Sequence, residues 1–92
     1  MKSKNFIIVV ILDLKLCKGV KNPHINNDGK AEVLLANKTT QKDALDGNNV
    51  YALSGKSGII VTESLYSKMK NEVEQYLTSR FGEDWVIELR PV

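Results

Sequence analysis

The side chains able to do specific chemistry are few and far apart. Cys17 is the only cysteine and His24 the only histidine in 92 residues. A cysteine nucleophile acts as its thiolate and needs a neighbouring base or cation to reach that form. His24 is the one imidazole available, seven positions on and across a loop. A half-buried structural thiol is the simpler expectation. One cysteine excludes an intrachain disulfide and a cysteine-rich zinc site, and one histidine leaves zinc without a donor set. No metal, cofactor or catalytic residue is therefore expected, and the absence of disulfide chemistry fits a reducing, cytoplasmic setting.

Two further patterns invite a chemical reading. Asp13 ends an apolar run, a place where an acid in a ferredoxin-like metal-dependent nuclease could bind a divalent cation. A single carboxylate is thin support, since Mg²⁺ wants further ligands or substrate phosphates, although a symmetric dimer would bring a second Asp13. Gly55-Lys56-Ser57 has the tail of a phosphate-binding loop. The full motif needs glycine at position 50, where this chain has valine, and it must open into a helix, whereas a strand-like run follows.

The more promising feature is a set of lysines. Lys15, Lys18, Lys21 and Lys30 surround the segment 17–30, which also carries His24, and Lys56 sits in a second short polar stretch. The segment has no arginine and no aromatic residue, so base-specific readout of nucleic acid is not expected, while contact with a phosphate backbone is open to it. These six residues form the expected binding surface.

Composition sets the frame. Apolar residues at 42% and charged residues at 26% are ordinary globular values and exclude wholesale disorder. A net charge of +2 is too small for a general nucleic-acid coater. The charge is uneven: residues 1–42 hold eight lysines against three carboxylates, and residues 43–92 hold five bases against eight. The bland account is two halves that complement each other across one fold. The length suits a single domain over 1–92 with one core. Lys2 and Lys4 before the apolar run faintly resemble a signal peptide, but the run is short, Asp13 ends it, and no small-residue cleavage pattern follows. Seven apolar residues are also too few for a membrane span, which takes about twenty.

These side chains must be positioned by a handful of elements. Phe6 to Leu12 is a β-branched-rich run expected as a central strand buried on both faces, with Leu12, Leu14 and Leu16 continuing it towards water. Residues 17–30 read as loop, with Asp28-Gly29 a tight-turn signal. Ala31 to Ala36 alternates like a strand, but Ala31, Leu34 and Leu35 also suit a short helix; strand is preferred. Thr40 is a candidate cap for a short helix that Asp46-Gly47 would stop. Val50 to Leu53 and Gly58 to Thr62 read as a hairpin around Ser54 to Ser57. Leu65, Met69, Val73, Tyr76, Leu77 and Phe81 recur at helical spacing. With Thr62 as N-cap and Gly82 as C-terminal stop, they predict a helix over about 63–81. Trp85, Ile87 and Leu89 alternate as a closing strand that Pro91 ends.

The sum is an α+β fold: a mostly antiparallel sheet of four or five strands with one long amphipathic helix on one face. A ferredoxin-like βαββαβ order is the alternative if 31–45 is helical. With no catalytic set, the expected function is a small non-enzymatic interaction module. It would be an adaptor or inhibitor docking on a larger protein or nucleoprotein complex through the lysine-bearing segment, without a membrane and with homodimerisation open to it. By analogy alone, stand-alone domains of this size are common on phages and mobile elements, where they block host machinery. The alternatives are the dimeric nuclease using Asp13 and a nucleic-acid-binding module.

Overall fold

The computed structural model describes residues 4–17, 20, 23–37 and 51–92. The apolar run forms strand β1 (Phe6–Leu12), and β1 organises the sheet. On one side it pairs along its whole length with β6 (Trp85–Pro91), from Phe6 opposite Pro91 to Leu12 opposite Trp85. On the other side it has two successive neighbours. Its second half, Val9 to Leu12, pairs with β3 (Ala31–Asn37), and its first two residues pair with β5 (Ile60–Val61). The far edge of β3 carries β2 (His24–Ile25) and β4 (Tyr51–Ser54). Every pairing is antiparallel.

Strand alternation sorts β1 and β3 into two faces. Ile8, Val10 and Leu12 and their neighbours Ala31, Val33 and Leu35 are fully buried on one face. Helix α1 (Glu63–Phe81) covers this face through Val73 and Leu77. Tyr51 of β4 ties into the helix, with its ring 5.7 Å from that of Tyr76 and its hydroxyl donating to Glu72 at 3.2 Å. Burial, aided by Glu72, pushes the Tyr51 phenol up. The helix ends are those its sequence calls for. The Thr62 hydroxyl accepts from the Leu65 amide at 3.1 Å, and Gly82 takes a positive φ of 71° just past the last turn.

Five expectations, the ferredoxin-like alternative among them, are revised or fall outside the described residues. Ala31–Asn37 is a strand, so the helix that the ferredoxin-like alternative needs does not form across those residues. The strand β1 does not run on through Leu14 and Leu16. Asp13 accepts the Lys15 amide at 3.3 Å and caps a one-turn 3-10 helix, Leu14–Leu16, closed by the Leu16 and Cys17 amides on the carbonyls of Asp13 and Leu14. A local side-chain acceptor competes with the ladder there, as Asp does in turns. The segment 17–30 is not all loop. His24 and Ile25 pair with Glu32 and Ala31 around a turn in which the Asn26 side chain accepts the Asp28 and Lys30 amides. The short helix expected after Thr40 lies outside the described residues.

The expected hairpin over residues 50–62 is not one. β4 and β5 bond not to each other but to different strands, β3 and β1. Leu34 has Val9 on one side and Ser54 on the other, so the chain leaving β4 must pass β3 to reach β5. It does so at Gly58. A Cβ there would stand 2.9 Å from both the Leu34 Cβ and the Leu35 carbonyl oxygen. The Ile59 amide then donates to that Leu35 carbonyl at 2.9 Å, filling the gap where β1 and β3 part. Replacing Gly58 with Ala presses a methyl group onto backbone that has no slack. It is expected to cost about 1–3 kcal/mol, read as a lower urea midpoint with an unchanged denaturant slope.

Candidate functional site

Among the described residues no α-helix packs on the second face of the sheet, where Val9 at its centre is only 2% exposed. The cover is ionic. Arg90 sits on β6 opposite Ile7, and Glu32 sits on β3 opposite Ile11. A bridge between them has to lie diagonally across β1, above Val9. The Arg90 guanidinium makes it with two parallel bonds, 2.8 and 2.9 Å to the two oxygens of Glu32, while its Nε donates to Glu88 at 2.9 Å. This fork-to-fork geometry is the strong form of the ion pair, and the aliphatic stem of Arg90 shields apolar surface beneath it. Arg90 holds the Glu32 carboxyl below the usual carboxylate range, against the opposing push of burial and with help from Asn26. Glu32 and then Glu88 in turn raise Arg90.

His24 joins the rim of this network, its Nε2 lying 4.0 Å from Glu32. Its side chain is 74% exposed. A carboxylate already engaged by arginine in two bonds has little capacity left to steer an imidazole, so the cluster serves structure rather than proton transfer.

A different place gathers two of the expected lysines. At the C-terminal end of β1 an open concavity of about 510 Å³ is lined by Lys15, Lys30, Asp13, Glu83 and Asp84, with Leu16, Phe81, Trp85 and Val86 supplying apolar wall. The 3-10 turn after Asp13 presents Lys15, and the Asn26-pinned turn before β3 presents Lys30. The Trp85 indole is fixed by donation to the Gly82 carbonyl at 2.8 Å. Opposite charges meet at this rim, where the Lys15 ammonium lies 3.9 Å from Asp13.

Of the other expected binding residues, His24 and Lys56 do not converge here. His24 belongs to the ionic face. Lys56 stands on the segment that passes β3 beside Leu34 and Ile7, towards the start of β1, where its amide donates to the Ser54 hydroxyl rather than to any phosphate-loop geometry. Lys18 and Lys21 lie outside the described residues. The acidic wall of the concavity was not foreseen. Glu83 and Asp84 follow the helix stop and Trp85 opens the next strand, so the one legible signal was their closeness to Gly82.

Cys17 lines neither the concavity nor the ionic face. It is buried in the core, and burial, with a smaller contribution from Asp13, pushes its thiol up and away from the thiolate. Asp13 spends its side chain on the Lys15 amide and ammonium. Among the described residues, no three histidine, cysteine, aspartate or glutamate side chains gather closely enough to hold a metal ion.

The depressed Glu32 gives the ionic bridge a pH signature. A carboxylate whose folded pKa lies below its unfolded one stabilises fully above the unfolded value, about 4.3, and loses that contribution as pH falls through the folded value. Glu32→Gln is expected to cost about 1–2 kcal/mol at neutral pH. It should also flatten the loss of stability that the parent protein shows on acidification. Parallel acid dependences of the urea midpoint in the two proteins would remove the bridge as a stabilising element. No protein-family model, no curated protein and no solved structure matches this chain.

Proposed function

We propose that this chain is a non-catalytic interaction module, an adaptor or inhibitor, that docks on a larger protein through the concavity at the end of β1. The supporting observation is the make-up of that concavity. Two lysines share it with three carboxylates and a wall of aliphatic and aromatic side chains. Such a surface suits a protein segment that offers both signs of charge around an apolar anchor, the pattern in which aromatic residues carry most of the binding energy. A phosphate backbone would meet three like charges there and gains little.

The nuclease alternative draws no support from Asp13, which is occupied as a turn cap. A nucleic-acid-binding reading would rest on Lys18 and Lys21, outside the described residues. The protein-docking reading extends to an intracellular setting, where a lone buried thiol is stable. Among the described residues, no helix is long and apolar enough to cross a membrane.

The test is affinity capture from lysate with the parent chain and with the double variant Lys15→Glu, Lys30→Glu, each with and without nuclease treatment. A protein retained by the parent after nuclease treatment, and depleted roughly tenfold or more by the charge reversals, is the expected outcome; that drop corresponds to about 1.4 kcal/mol. Loss of the captured partner on nuclease treatment would favour a nucleic-acid bridge. Equal capture by the double variant would move the docking surface elsewhere.

A further inference from the structure

The edge of β6 carries its own pairing information. Among the described residues β6 bonds only to β1, which leaves its other edge open. Which backbone groups point outward follows from one hydrogen bond. The Val92 amide donates to the Asn5 carbonyl at 3.1 Å, and in the β1–β6 register these two residues stand opposite each other. In an antiparallel ladder, hydrogen-bonded pairs recur at every second position. Arg90, Glu88 and Val86 therefore turn their amides and carbonyls towards β1. Trp85, Ile87 and Leu89 turn theirs outward, as does the Pro91 carbonyl. Pro91 fits this parity, since its missing donor faces away from the ladder.

We propose that this edge pairs with the same edge of a second copy, antiparallel about a two-fold axis at Ile87. In that register Ile87 meets Ile87 of the other copy, Trp85 meets Leu89, and every outward amide and carbonyl of the three residues finds a partner. The neighbouring registers are worse on the sequence alone. Centring on Glu88 sets two Glu88 carboxylates face to face. Centring on Val86 sets Asp84 against Glu88. Centring on Leu89 sets Ile87 against Pro91, which cannot donate. Side chains favour the same partner: Trp85, Ile87 and Leu89 are only partly buried by their own chain, and the paired edges would continue the core face from one copy to the next.

The pairing edge adjoins the lysine-bearing concavity, sharing Asp84, Trp85 and Val86 with it, and is tested without any other partner. Sedimentation equilibrium of the parent chain is expected to show a reversible monomer–dimer equilibrium. Ile87→Pro removes one outward donor and leaves the β1–β6 ladder its own donors, so it is expected to remain folded by circular dichroism and to sediment as a monomer. Ile87→Cys places two thiols on residues whose Cα atoms stand about 5.5 Å apart, within the disulfide range of about 4.4–6.8 Å. It should form a covalent dimer under mild oxidation roughly tenfold or more faster than Leu89→Cys, because pairing raises the local thiol concentration only at the axis. A parent chain that stays monomeric up to about millimolar concentration, the regime of the weakest specific contacts, overturns the proposal. So does a dimer that survives Ile87→Pro, or cross-linking of Leu89→Cys as fast as that of Ile87→Cys.

Discussion

The structure turns on covering β1 from both faces. Seven apolar residues in a row give a strand no polar side to show to water, and a chain of this size has one long helix to spend among its described residues. That helix covers Ile8, Val10 and Leu12. Among the described residues, two other features lie over the opposite face. Arg90 and Glu32 reach over Val9 from the strands on either side, and the segment through Gly58 packs against Leu34 and Ile7. The bidentate ion pair is therefore more than a surface salt bridge. It is a lid on apolar surface, built from the one side-chain pairing that is both long enough and sufficiently satisfied by hydrogen bonds to lie there.

This arrangement decides where function is available. The helix-covered face is core, and the ionic face is engaged in closing β1, with His24 drawn to its rim. Among the described residues, what remains is the end of the sheet, where β1, the 3-10 turn, the helix stop and the start of β6 come together, and the outer edge of β6. Both are places where apolar residues stand beside mixed charges.

Much of the frame was legible in the sequence. The helix announced both ends, because Thr62 and Gly82 act locally and need no tertiary partner. The central strand followed from β-branched residues in an unbroken run, and the last strand from the alternation of Trp85, Ile87 and Leu89. The failures share a cause. Leu14 and Leu16 keep a strand's alternation, but Asp13 captures a nearby amide and bends the chain first. The segments flanking Ser54 to Ser57 have hairpin composition, but strand pairing is chosen by whichever edges lie open, and β3 and β1 each offered one. The candidate site was half legible for the same reason. Lys15 and Lys30 were singled out by charge, yet their shared concavity depends on Trp85 and Asp84, more than fifty positions away.

The bridge between Glu32 and Arg90 and the full-length pairing of β1 with β6 join distant parts of the chain. Contacts of such wide separation require large loops to close before they repay the entropy lost, which slows folding. During synthesis, which runs at about 5–20 residues per second, the first strand waits several seconds for the partner that completes its sheet. Through that interval Phe6 to Leu12 is a sticky, uncharged β-former without its final neighbour. A nascent chain with this wiring has reason to be shielded by a chaperone, or by the ribosome surface itself, until its last strand emerges.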